Sequence, residues 1–168
     1  MTVDELIARH LDAAYNLARW LVTDAREAED VVQDACVRAI AAFGQYRGGD
    51  ARAWLLAIVR NGCRDWHRRR RQLAFREPFD EVKHHDARPV ASPEDQVLTA
   101  DLRGRLNAAI GALPDVLREV VILREIEDLS YREIAEVIDA PIGTVMSRLS
   151  RARARLVEAL GRAEGGAA

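Results

Sequence analysis

Residues 129–156 read LSYREIAEVIDAPIGTVMSRLSRARARL, the pattern of two helices joined by a tight turn. Ser130 with Glu133 three residues later has capping-box spacing, so a helix is predicted to start at Ser130. Tyr131, Ile134, Ala135 and Ile138 then share one face at helical spacing. Asp139-Ala140-Pro141 interrupts the pattern. Pro141 suits the first turn of a second helix, where the N–H it lacks would have no intrahelical acceptor. In that second helix Ile142, Val145, Leu149, Ala152 and Leu156 form an apolar stripe. The opposite side carries Gly143, Ser147, Ser150 and Arg151, flanked by Thr144 and Met146, with Arg148 and Arg155 on its basic edge. The stretch is predicted to be a helix-turn-helix.

A helix face of small residues, hydroxyls and arginines can approach a nucleic-acid groove closely. Gly143 and the serines add little bulk, and Arg151 has the reach and the donors for guanine edges or phosphate. A helix-turn-helix lays its second helix in the major groove in this way. On the helix pattern alone, the same face also fits a hairpin whose polar side is merely solvated.

The rest of the chain agrees with an all-α protein. Of its 168 residues 49% are hydrophobic, but aromatics are few and prolines number only five. Two cysteines, Cys36 and Cys63, are too few for a disulfide framework and fit a reducing cytoplasm. No stretch has the length or polarity of a signal peptide or membrane span, so a soluble, cytoplasmic protein is expected. The pair His84-His85 lies far from either cysteine and has no metal-ligand spacing; neither a metal nor a cofactor is expected.

A net charge of −2 hides strong segregation. Residues 1–50 carry five basic and nine acidic groups, a net of −4, whereas residues 51–71 carry seven arginines and one aspartate, a net of +6. Such asymmetry suits one polyanionic partner alongside others of different character.

Taken in order, a first helix is expected from about Thr2 to Val22, capped by Thr2 and Glu5, with His10 as a half-buried packing residue on its apolar stripe. A second starts at Asp24, with Glu27 completing another capping box, and runs to about Phe43. Its inward face is Ala28, Val31, Val32, Ala35, Ala39 and Phe43, while Asp30, Gln33, Asp34 and Val37 share another. The loop Gly44–Asp50 leads to a third helix from Ala51 to about Arg71. Trp54, Leu55, Ile58, Val59, Gly62 and Trp66 lie on one of its sides, and Arg60, Arg64, His67, Arg68 and Arg71 on the other. Crowded like charges of this kind repel one another unless a polyanion neutralises them. From Gln72 to Pro93 the periodicity is lost and prolines recur, as in a linker. Helical patterning returns near Glu94, with Val97, Leu98, Leu102, Leu106, Ala109 and Ile110 on one face. It resumes after Leu113-Pro114, with Val116, Leu117, Val120, Val121 and Leu123 inward.

Two blocks carry a family resemblance. Pro141-x-Gly143-Thr144-Val145-x-Ser147-Arg148-Leu149-x-Arg151-Ala152-Arg153 resembles the end of the second DNA-binding domain of bacterial sigma factors, specifically the extracytoplasmic-function (ECF) group of the sigma-70 family. Glu27-Ala28-Glu29-Asp30-Val31-Val32-Gln33-Asp34, followed by Ala53-Trp54-Leu55-Leu56-x-Ile58-x-Arg60-Asn61 and the arginine run, is similar to the first sigma domain. The resemblance implies two small helical domains joined by a flexible linker, the second ending in the helix-turn-helix. Residues 1–71 would be sigma region 2, 72–93 the linker, 94–161 sigma region 4 and 162–168 a tail.

It also implies roles. Asp30, Gln33, Asp34 and Arg38 would dock on core RNA polymerase. Tyr46, Arg60, Asn61, Arg64, His67, Arg68 and Arg71 would bind the promoter −10 element, and the loop 43–50 would help to receive its unpaired strand. Gly143, Thr144, Met146, Ser147, Arg148, Ser150, Arg151 and Arg155 would bind the −35 element. Cys36 and Ile40 stand where relatives usually carry larger aromatics, implying different packing under the docking helix; Met146 replaces a common basic residue. Most members of the group are held inactive by an anti-sigma protein, so such a partner is implied here too.

The residues give no sign of an enzyme. There is no phosphate-binding glycine loop with a lysine, and no nucleophile set among strands and turns, so neither catalytic residues nor a small-molecule substrate is expected. The competing non-catalytic reading is a stand-alone helix-turn-helix regulator that does not enter polymerase.

Overall fold

A computed structural model describes residues 1–76 and 100–165, and all regular structure among them is helical. Helix α1 (Val3–Leu21) is closed at its start by the expected reciprocal box: Glu5 N–H donates to Thr2 Oγ1 at 3.2 Å, and Thr2 N–H to the Glu5 carboxylate at 2.9 Å. Helix α2 (Ala25–Ala42) begins after Asp24, whose carboxylate accepts from the N–H groups of Arg26 and Glu27. A short 3-10 turn (Phe43–Gln45) and a loop lead to α3 (Ala51–Arg76), where Asp50 accepts from Ala53 N–H at 2.8 Å.

The second half comprises α4 (Ala100–Gly111), α5 (Asp115–Val121), a π-helical turn (Ile122–Ile126), α6 (Tyr131–Ile138) and α7 (Ile142–Gly165). Ser130 caps α6 through Glu133 N–H at 3.1 Å. Asp139 ends α6 in the left-handed conformation with φ 52°, and the Pro141 carbonyl accepts the first bonds of α7. Pro141 therefore stands just before that helix rather than inside its first turn.

Two of the three predicted capping boxes are only half closed. Glu27 turns its carboxylate to the Trp66 indole N–H at 2.5 Å, and Glu133 turns its own to Arg52 at 3.6 Å. Each acidic side chain thus ties its helix to α3 instead of to its own N-terminus.

Several expected boundaries move. Helix α3 continues past Arg71 to Arg76, and α7 continues through 162–165, so the start assigned to the linker and most of the tail are helical. The rest of the linker, the expected start at 94, Val97 and Leu98 lie outside the described residues.

Apolar burial organises the bundle. Leu6, Leu17, Leu55, Leu56, Val59, Ile122, Leu123, Leu129, Ile134 and Leu149 are sealed from solvent, each such side chain contributing about 1.5–3 kcal/mol. They belong to one continuous core that runs from the first half into the second. Helix α3 packs against α1, α2 and α6 and is the axis of the molecule. Val116 and Ile142, expected to face inward, are exposed.

Candidate promoter and polymerase interfaces

On α7 the predicted division of faces holds for most positions. Val145, Leu149 and Ala152 are buried, Leu156 is half-buried, and Gly143, Met146, Ser147, Ser150, Arg151 and Arg155 are exposed. Thr144 is half-buried. Arg151 Nη2 donates to Ser147 Oγ at 3.3 Å, and Ser147 reaches back to the Thr144 carbonyl at 3.5 Å. Two of the side chains expected at the −35 element therefore already form a hydrogen-bonded pair one helical turn apart. A Cβ built at Gly143 would meet nothing within 4 Å, so no packing inside the chain requires glycine there.

Arg148, expected on the open basic edge, is half-buried and lies 3.8 Å from the Glu119 carboxylate on α5.

The −10 set divides more sharply. Asn61, Arg64, Arg68 and Arg71 lie exposed along α3, with Arg68 3.8 Å from Asp65. Arg60 does not join them. It is only 6% exposed, and it donates through Nε and Nη2 to the two oxygens of Glu119 at 2.9 and 3.0 Å. The reason is a second apolar stripe on α3: Ala53, Leu56 and Cys63 are buried, and Arg60 lies among them at helical spacing. His67 is likewise withdrawn. Its Nε2 donates to the Leu21 carbonyl at 2.5 Å, closing the end of α1, and its ring meets Trp66 edge-on.

Tyr46 is half-buried at the base of the loop between α2 and α3. Its ring stacks on Phe43 and tilts against Trp54, with centroids 5.8 and 5.2 Å away, and its hydroxyl donates to the Gly49 carbonyl at 2.8 Å. Gly48 and Gly49 have φ 81° and 94°, a conformation that L side chains rarely adopt. The tyrosine and the two glycines fix the shape of the loop that the −10 strand was expected to enter.

On α2, Asp30, Gln33, Asp34 and Arg38 are exposed together, and Arg38 pairs with Asp65 at 3.3 Å. Val37 and Ile40 are exposed beside them. Ile40 thus adds apolar surface beside the expected docking residues instead of packing beneath the helix, while Cys36 is half-buried.

The polar residues that pattern reading missed are those joining the two halves. Asn16 Nδ2 donates to Glu127 Oε1 at 2.8 Å, Arg52 Nη1 donates to the Glu127 carbonyl at 2.9 Å, and Arg60 meets Glu119. The available signal was Glu119 itself, a carboxylate flanked by Leu117, Val120 and Val121. Burial pushes the neighbouring Cys63 thiol up to about 12, with Glu119 adding to the effect, so that thiol is inert at neutral pH. Buried ion pairs roughly balance desolvation against attraction, whereas removing one partner costs about 3–5 kcal/mol.

Among the described residues, no group of three or more potential ligands is placed to hold a metal ion, and no helix is long and apolar enough to cross a membrane. His84 and His85 lie outside the described residues.

Comparison with known proteins assigns both halves. The family model for sigma-70 region 2 matches residues 6–72, and that for sigma-70 region 4 matches residues 103–156. The chain is 37% identical over 156 residues to the ECF RNA polymerase sigma factor SigE of Mycolicibacterium smegmatis, an alignment covering 91% of this chain and 59% of that protein. It is 35% identical over 167 residues to the RNA polymerase sigma-H factor of Pseudomonas aeruginosa, covering 94% and 85%. The sigma factor RpoE from Bartonella quintana, solved in complex with the anti-sigma factor NepR, superimposes with a TM-score of 0.80 at 30% identity, covering 94% of this chain and 96% of that one. Two region matches in order, and a relative aligned along most of its length, set aside the stand-alone regulator: the chain belongs to the ECF sigma factors of the sigma-70 family.

Proposed function

We propose that this chain binds core RNA polymerase in the cytoplasm and directs it to promoters, as an initiation factor and not an enzyme. Residues 1–71 serve as region 2 and residues 94–161 as region 4. The exposed α2 face of Asp30, Gln33, Asp34 and Arg38, widened by Val37 and Ile40, docks on core. The loop braced by Tyr46 and the exposed Asn61, Arg64, Arg68 and Arg71 take the −10 element, and α7 takes the −35 element. The Bartonella sigma factor is bound by an anti-sigma factor; a partner of that kind is proposed for this chain as well.

The observation that carries this reading is the outer face of α7, where an exposed Arg151–Ser147 pair lies beside an unpacked Gly143 on a helix anchored by Val145, Leu149 and Ala152. A base-reading arginine supplies roughly 1–3 kcal/mol of discrimination. Arg151→Ala should therefore cut the preference of holoenzyme for a matched over a mutated −35 duplex by about ten-fold or more, at fixed salt. Ser147→Ala should lower it less, because it removes the partner that orients Arg151. Parental discrimination in both variants would show that α7 does not read bases. Equal weakening on every sequence would reduce Arg151 to a phosphate contact.

A further inference from the structure

The outer face of α7 is divided along its length. Around Ser147, at about 100° per residue, Thr144, Arg151 and Arg155 fall to one side, and Gly143, Met146 and Ser150 to the other. The first side can donate to guanine and to phosphate. The second holds one large side chain, and that one is apolar. Met146 is 53% exposed, Ile142 one turn before it is 42% exposed, and neither belongs to the packed core. A single exposed apolar residue on a protein surface needs no explanation. Two at i and i+4 are a patch with a definite position: the first turns of the helix, at the edge of the face that carries the Arg151–Ser147 pair.

We propose that Met146 is a specificity-determining residue for the −35 element, where it makes apolar contact with the C5-methyl of a thymine while Ile142 shields that contact from water. The proposal rests on the promoter-binding reading above and deepens it, naming a base feature that the arginines do not read.

The chemistry selects the methyl. A thioether has no proton to donate and accepts only weakly, so Met146 cannot pair with phosphate or with the acceptor atoms of guanine. The groups that base pairs display in the major groove are polar donors and acceptors, apart from the thymine methyl. A methionine on a helix leans back over the preceding turn. There Gly143 has no side chain, and a Cβ on it would meet nothing within 4 Å, so the turn beneath Met146 is bare on its outer side. The thioether can lie along that turn without holding the helix away from base edges, and its unbranched chain adapts to the position of the methyl. Burying one methyl against apolar surface is worth about a four-fold preference.

The test uses holoenzyme reconstituted with the full chain. Parental holoenzyme first selects its preferred duplex from a pool randomised across the −35 element. Each thymine of that duplex is then replaced singly by deoxyuridine, which lacks only the methyl and keeps every hydrogen-bonding group. At one position the replacement should weaken parental binding about four-fold at fixed salt. Met146→Ala should bind the thymine and deoxyuridine duplexes equally, whereas Met146→Leu, apolar and of similar volume, should keep the preference. Alanine favours helix and Met146 is outside the core, so circular dichroism should match the parent in both variants. A selected site without thymine, a parent indifferent to deoxyuridine at every position, or an unchanged preference in Met146→Ala overturns the proposal. Failure of the underlying reading looks different: the pool would then yield no preferred −35 sequence at all, and both would fall together.

Discussion

At the scale of single residues, Arg118 is a cation held almost fully buried. Its guanidinium donates to the carbonyls of Ile110, Gly111 and Leu113 at 3.3, 2.8 and 2.6 Å and to Asp115 at 3.3 Å. It thereby ties the last carbonyls of α4, those of Ile110 and Gly111, to the Leu113 carbonyl just beyond the helix, a task usually left to glycine or water. Ser147 and Arg151, by contrast, were legible because one helix places them opposite a continuous apolar stripe, and solvent is then their only surrounding. Glu127 allows a titration test. Burial raises its carboxyl above the ordinary value of 4.5, with the Asn16 hydrogen bond and Arg52 opposing. The folded chain therefore holds that proton more tightly than the unfolded chain. The stability this contributes is complete below the unfolded value and is lost as pH rises through the folded one. Glu127→Gln keeps an acceptor for Asn16 and carries no charge. Thermal unfolding against pH should show the variant gaining on the parent as pH rises from about 4.5 towards neutrality, whereas parallel curves would place Glu127 in water.

Elements were read well wherever one face met solvent. Helices α1 and α2 begin and end within a residue of their predicted limits, because Thr2 and Asp24 cap them and each has a single buried stripe. Helix α3 was misread in part because it is buried on two sides. Its stripe through Leu55, Val59 and Trp66 was visible, but Ala53, Leu56, Arg60 and Cys63 form a second one that becomes buried only when the other half arrives. That also explains why a row of five basic side chains separated into an exposed set and two tethered members, Arg60 and His67. If the exposed set binds promoter phosphate, replacing Arg64, Arg68 and Arg71 by alanine should flatten the salt dependence of promoter binding by holoenzyme by about one unit per lost contact. Core binding should survive, since the proposed docking face is on α2. An unchanged slope would mean that these arginines are only solvated.

At the scale of the molecule, the sequence revealed two blocks but not their embrace. Local pattern reports which residues prefer burial, whereas the partner of a buried face is a long-range fact, and Arg60 and Glu119 lie 59 residues apart. On the proposed roles, α7 and the exposed face of α3 act together on a polymerase that holds both against DNA. The measurement that tests this most directly is run-off transcription by purified core polymerase with the full chain, on a matched template and on templates with either the −35 or the −10 element replaced. Initiation from a single start site should require the chain and should be lost when either element is replaced. Sequence-specific duplex binding by the chain, with no initiation by core polymerase in its presence, would contradict the account.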